Sequence, residues 1–143
     1  MPQLMAKMAE EAYIKDKNED FINLMSGIVG QKKRINIHIG DVLDSELDAI
    51  QSETTNVNKQ IQMVAKVIDE QIIANYKLWP TNYIAYDLLN HTTTFENEYT
   101  DKEKQLFLRR LELKVDKNNE ALVDMFLEMY ANPVVNKLKL QNA

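Results

Sequence analysis

Apolar residues recur at helical spacing over most of this chain. Leu4, Met5, Met8, Ala12, Ile14, Phe21, Ile22, Leu24 and Met25 fall three and four apart on either side of the polar stretch KDKNED, which predicts one interrupted helix or two short ones. Ser26, Gly27 and Gly30 supply helix-ending punctuation, and Gln31 to Arg34 reads as a polar, basic turn. A second period then takes over. From Arg34 to Ile39 the isoleucines Ile35, Ile37 and Ile39 alternate with Arg34, Asn36 and His38, the period-two pattern of a half-buried strand. It is the only convincing strand pattern in the chain. A lone strand leaves its N–H and C=O groups unpaired, so a partner must come from a weakly patterned segment, another copy of the chain, or sequence preceding Met1.

Beyond Gly40 the helical period returns. Asp44 or Ser45 is placed to cap a short helix through Ile50. Val57, Ile61, Val64, Ala65, Ile68 and Ile72 make one stripe of a strong helix from Thr55 to about Tyr76, with Lys59, Lys66 and Glu70 on its wet side. Pro80 closes that segment, and Thr81 or Asn82 is placed to cap a helix through Leu89. Thr100 and Glu103 have the spacing of a capping box, ahead of an apolar face of Phe107, Leu111 and Val115 with Leu106 and Leu113 beside it. Asn118 and Asn119 break that helix. Leu122, Met125, Phe126, Met129 and Tyr130 start another, which Asn132-Pro133 is expected to end, leaving the last ten residues frayed. The expected fold is mainly α, five to six helices with one strand at about 34–39.

Composition agrees: 143 residues with 45% hydrophobic and 27% charged content suit one ordinary domain, and three Gly and three Pro favour helix. A formal net charge of -5 argues against a general nucleic-acid partner. The absence of cysteine removes disulfides and thiolate chemistry and fits a cytoplasmic location. No stretch has the apolar length of a secretory signal or a membrane span. Peripheral contact with a membrane surface stays open.

The candidate chemistry is sparse. His91 is followed five positions later by Glu96, a spacing at which a carboxylate can orient an imidazole, whereas His38 has Leu43 at that offset. A solvated His in a Thr-rich loop is the stronger reading, so no catalytic residue is assigned. Asp41, Asp44, Glu46 and Asp48 lack the rhythm of a calcium loop and suit the first turn of a helix, so no metal site is assigned. Lys32, Lys33 and Arg34 are the only three consecutive cations; they can meet a phosphate or can form a solvated turn. Tyr76, Trp79, Tyr83 and Tyr86 suit a joint between two amphipathic helices better than a membrane-interface belt.

Two segments carry a resemblance. Glu19 to Ile50, EDFINLMSGIVGQKKRINIHIGDVLDSELDAI, and Asn75 to Asn90, NYKLWPTNYIAYDLLN, resemble the C-terminal portion of a bacterial, Bacteroidetes-type subgroup of 1-acyl-glycerol-3-phosphate acyltransferases, with PQLMAK similar to the stretch just upstream. The match runs from about Pro2 to Asn90. It implies that residues 1–50 end an acyltransferase-like domain (helix, strand, short helix) and that 51–143 form a C-terminal helical region. The strand at 34–39 would then complete the sheet of an α/β domain preceding Met1. The implied activity is acyl transfer from acyl-CoA or acyl carrier protein to a lysophospholipid-type acceptor at the inner face of the cytoplasmic membrane. The family's His-x-x-x-x-Asp motif and Glu-Gly-x-Arg-type phosphate segment are absent. The chain is therefore expected to be non-catalytic alone, to carry no cofactor, and to offer only Lys33 and Arg34 as substrate contacts. The rival expectation is a stand-alone helical interaction module, in which two copies of Arg34 to Ile39 pair antiparallel in a homodimer.

Overall fold

The computed structural model of the chain describes residues 14–30 and 34–142. It divides into two compact units, Met1–Ile35 and Asn36–Ala143. Among the described residues there are six α-helices and no strand, so the chain is mainly helical.

In the first unit α1 spans Glu19–Val29. Glu19 and Asp20 stand in its first turn, where carboxylates favour the helix dipole, and Asp20 pairs with Lys15. The helix runs through Ser26 and Gly27 and stops at Gly30, whose N–H donates to the Ser26 carbonyl at 3.0 Å. None of its side chains is buried, although Phe21, Ile22, Leu24, Ile28 and Val29 are apolar. The helix expected from Leu4 and the basic pair Lys32 and Lys33 lie outside the described residues.

The second unit contains α2 (Asp44–Glu53), α3 (Val57–Asn75), α4 (Pro80–Leu89), a 3-10 turn (Glu96–Glu98), α5 (Asp101–Lys114) and α6 (Glu120–Gln141). The boundary expected after Ile50 falls inside α2, where Ile50 is buried. Asn56 caps α3 by accepting from the Lys59 N–H at 3.1 Å. Pro80 takes the first position of α4, where a missing N–H costs nothing. Asn82 serves as the third helical residue and not as the cap, its Oδ1 accepting from the Trp79 N–H at 2.8 Å. The Thr100 and Glu103 capping box forms as predicted, with Thr100 N–H donating to Glu103 Oε2 at 2.9 Å and Glu103 N–H to Thr100 Oγ1 at 3.3 Å.

The core is built by the C-terminal helices. Ile84 and Ala85 of α4, Phe107 and Leu111 of α5, Val115, and Leu122, Phe126, Leu127 and Ala131 of α6 pack as one cluster. Phe107, Phe126 and Tyr130 meet ring to ring, with the Phe107–Tyr130 pair edge-on at 5.4 Å. Leu106 and Leu113, expected beside this face, are exposed because they point off the buried side of α5.

Three expectations are corrected. Arg34 to Ile39 forms no strand: no described segment offers a ladder partner, and Ile35, Ile37 and Ile39 are 70, 83 and 88% exposed. Alternation is only half of a strand, since the backbone groups need pairing that the described residues do not supply. Pro133 does not end a helix, and the residues from Val134 to Gln141 are helical and not frayed, because α6 continues to Gln141. Ala131 and Val134, on either side of the proline, are almost completely buried. Two donors also brace nearby carbonyls, Asn82 Nδ2 on Tyr130 at 2.9 Å and the Tyr76 hydroxyl on Pro133. Burial and these bonds offset the proline's missing N–H. Finally, the apolar stripe of α3 is not core. Val57, Ile61, Ile68 and Ile72 are 64, 61, 40 and 56% exposed and Ala65 is exposed too, whereas Val64, at one margin of the stripe, and Met63 and Val67, farther round the helix, are half-buried. Contacts with α2 and α6 engage a different edge from the one the sequence marks as most apolar.

Candidate functional site

The stretch Asn36 to Leu43 runs beside the C-terminal half of α3, and together with the turn Tyr76 to Trp79 it encloses an open groove of about 530 Å³. Gly40 lies so close to α3 that a Cβ there would stand 2.8 Å from Gln71 Oε1. The groove's apolar side is Leu43, Ile68, Ile72 and Trp79; its polar side is Asn36, His38, Asp41, Gln71, Asn75 and Lys77. The Lys77 ammonium sits 4.9 Å from the centre of the Trp79 ring, a cation–π distance. Tyr76 is held in place by its hydroxyl on the Pro133 carbonyl and by Lys137, 5.2 Å from its ring centre. Burial pushes the Tyr76 phenol above its ordinary value.

This arrangement can hold a ligand with an apolar body and a polar end. It contains no nucleophile backed by a general base, and no hydrogen bond or ion pair joins His38 to Asp41 among the described residues. Of the tentative phosphate contacts, Lys33 lies outside the described residues and Arg34 is exposed within the first unit. His91 and Glu96 are both exposed, and no hydrogen bond or ion pair joins them. His91 has φ 52°, the left-handed conformation of a residue that turns the chain out of α4. Asp44 and Glu46 occupy the first turn of α2, with Ser45 Oγ donating to Glu46 at 2.8 Å. Among the described residues no group of His, Asp and Glu is placed to hold a metal ion, and no helix is long and apolar enough to cross a membrane.

The most constrained polar group was not marked by the sequence pattern. Asp87, near the end of α4, is 3% exposed. Its carboxylate accepts from Thr92 Oγ1 at 3.0 Å, the Phe95 N–H at 3.0 Å and the Tyr99 hydroxyl at 2.9 Å. The Thr92 N–H also reaches the Asp87 carbonyl at 2.9 Å. One buried side chain thus folds residues 90–99 back over α4, with Phe95 meeting Tyr83 and Tyr86 at 5.1 and 5.2 Å. Burial, followed by the hydrogen bond to Asp87 and nearby carboxylates, pushes the Tyr99 phenol up to about 12. Tyr83 is raised too, by burial and then by Glu98. The aromatic set from Tyr76 to Tyr86 is half-buried, as a helix joint requires. No protein-family profile, curated protein or solved structure matches the chain.

Proposed function

We propose that this chain is the C-terminal helical part of a glycerolipid acyltransferase of the 1-acyl-glycerol-3-phosphate type, acting by completing and covering a catalytic α/β domain and not by chemistry of its own. The observation that carries the reading is the row Ile35, Ile37 and Ile39: alternating, apolar, exposed and without a ladder among the described residues. Such a row suits addition to the edge of a sheet built by other sequence. The resemblance of KKRINIHIG and NYKLWPTNYIAYDLLN supports the same assignment. In the whole enzyme the acyl donor, coenzyme A or acyl carrier protein, and the lysophospholipid acceptor bind the upstream domain at the inner face of the cytoplasmic membrane. Lys33 and Arg34 then lie at the start of the added strand, where they can meet a phosphate.

The test begins with the genomic DNA upstream of Met1. An open frame encoding His-x-x-x-x-Asp is expected, and the long protein should transfer acyl groups to a lysophosphatidate whereas the present chain should not. In that protein Ile37→Asp is expected to lower transfer at least tenfold by disrupting the edge strand. An upstream stop codon, or a long protein indifferent to Ile37→Asp, would overturn the reading. A helical interaction module with no enzymatic parent is favoured by one separate observation, the exposed stripe of α3.

A further inference from the structure

We propose that α3 is a self-complementary contact helix, through which two copies of this chain associate antiparallel about a two-fold axis passing between Val64 and Ala65. The proposal stands independently of the acyltransferase reading. Val57 and Ile61 are exposed, and Ile68 and Ile72, in the open groove beside residues 36–43, keep 40 and 56% of their surface exposed, although α3 packs on α2 and α6 by another edge. With Val64 they step by three and four residues, which keeps them on one face.

Their order is symmetric. Val57 and Ile72 are equally far from the midpoint between Val64 and Ala65, and so are Ile61 and Ile68. An isologous interface requires this property, because residue i of one copy must meet j of the other while j meets i. Laid antiparallel on that midpoint, Val57 comes level with the second copy's Ile72, and Ile61 with the second copy's Ile68. The flanks agree. Asn58 and Asp69 share one side of the stripe, so an amide donor comes within a turn of the second copy's carboxylate. Lys59, Lys66 and Glu70 lie on the far face, where Lys66 pairs with Glu70 and Lys59 with Glu53, so no like charges confront each other.

The area suits a weak dimer. Covering an aliphatic side chain removes on the order of 100 Å² from water, so four per copy give roughly 800 Å² over the pair. Val64, Ala65 and the flanks bring the total towards the ~1,000 Å² that marks a specific contact. A concentration-dependent dimer follows.

Sedimentation equilibrium of the chain should show a monomer–dimer equilibrium, and Ile61→Glu, at an exposed position where folding is unaffected, should raise the dimer Kd roughly a hundredfold. The register is tested by cross-linking, since the chain has no cysteine. Ala65→Cys, beside the two-fold axis, should oxidise to a covalent dimer. Val57→Cys alone should not, because its counterpart in the second copy stands about 22 Å away along the helix. Mixing Val57→Cys with Ile72→Cys should give the mixed dimer. A monomer at all concentrations, a dimer indifferent to Ile61→Glu, or Val57→Cys cross-linking as readily as Ala65→Cys would each overturn the proposal.

Discussion

The carboxylate of Asp87 ties Thr92, Phe95 and Tyr99 to the end of α4, so a substitution there acts on the whole return loop. Asp87→Ala leaves the Phe95 N–H and the Tyr99 hydroxyl without their acceptor, and a loss of about 3 kcal/mol is expected in urea unfolding. Asp87→Asn keeps one acceptor oxygen and should lose less, about 1–2 kcal/mol. The Tyr99 phenol carries a pH dependence of known sign. Its folded-state pKa of about 12 lies above the ordinary value of 10.0, so the protonated hydroxyl is favoured in the folded chain. That stability is fully present below pH 10.0 and is lost as the pH rises through about 12. Melting curves recorded across this window should fall with pH, and Tyr99→Phe should make them shallower; Tyr76 and Tyr83, also raised, keep part of the slope. In the sequence Asp87 is one more polar position of a helical segment. Its partners lie five, eight and twelve residues ahead across a loop, a relation that no periodicity encodes.

At the scale of the elements, local signals were legible in part: the caps expected at Asp44 or Ser45 and at Thr81 or Asn82 fall one or more residues earlier, on Leu43 and Trp79, whereas others hold. The Thr100 and Glu103 box starts α5 as its spacing predicts, and Thr100→Ala should cost about 1 kcal/mol in thermal or urea unfolding. The strand pattern at Arg34 to Ile39 and the stop at Pro133 depend on distant contacts, and both expectations failed for that reason. The proline is carried by Asn82, which links the entry of α4 to the Tyr130 carbonyl of α6. Asn82→Ala removes both bonds. A destabilisation of about 2 kcal/mol is expected, with hydrogen exchange accelerated most around Pro133; a loss confined to the start of α4 would show that the bond to Tyr130 does not brace α6. The stripe of α3 was visible as apolar, but which edge of it α2 and α6 cover was not, because periodicity gives a direction and not a neighbour.

Across the whole molecule apolar burial is uneven. The core cluster comes entirely from α4, α5, α6 and Val115, whereas α1 buries no side chain and α3 leaves its stripe in water. Phe107→Ala, which empties space between α5 and α6, should cost about 3–5 kcal/mol. A substitution on α1 such as Phe21→Ala should change the stability of the isolated chain by less than about 0.5 kcal/mol. The same imbalance sets the order of opening. Amides of α4 and α6 lie behind buried side chains and are expected to exchange only through global unfolding, while those of α1, a helix with no buried side chain, are expected to exchange through local opening. Hydrogen exchange of the chain alone therefore should separate the two by several orders of magnitude. Protection of α1 equal to that of α4 would mean that its apolar face is covered in solution. Because α3 carries a second exposed face, repeating the measurement at rising concentration distinguishes the covers: protection that spreads along α3 but not α1 would support the proposed dimer, and protection of α1 that appears only when the proposed upstream domain is added would support the acyltransferase reading.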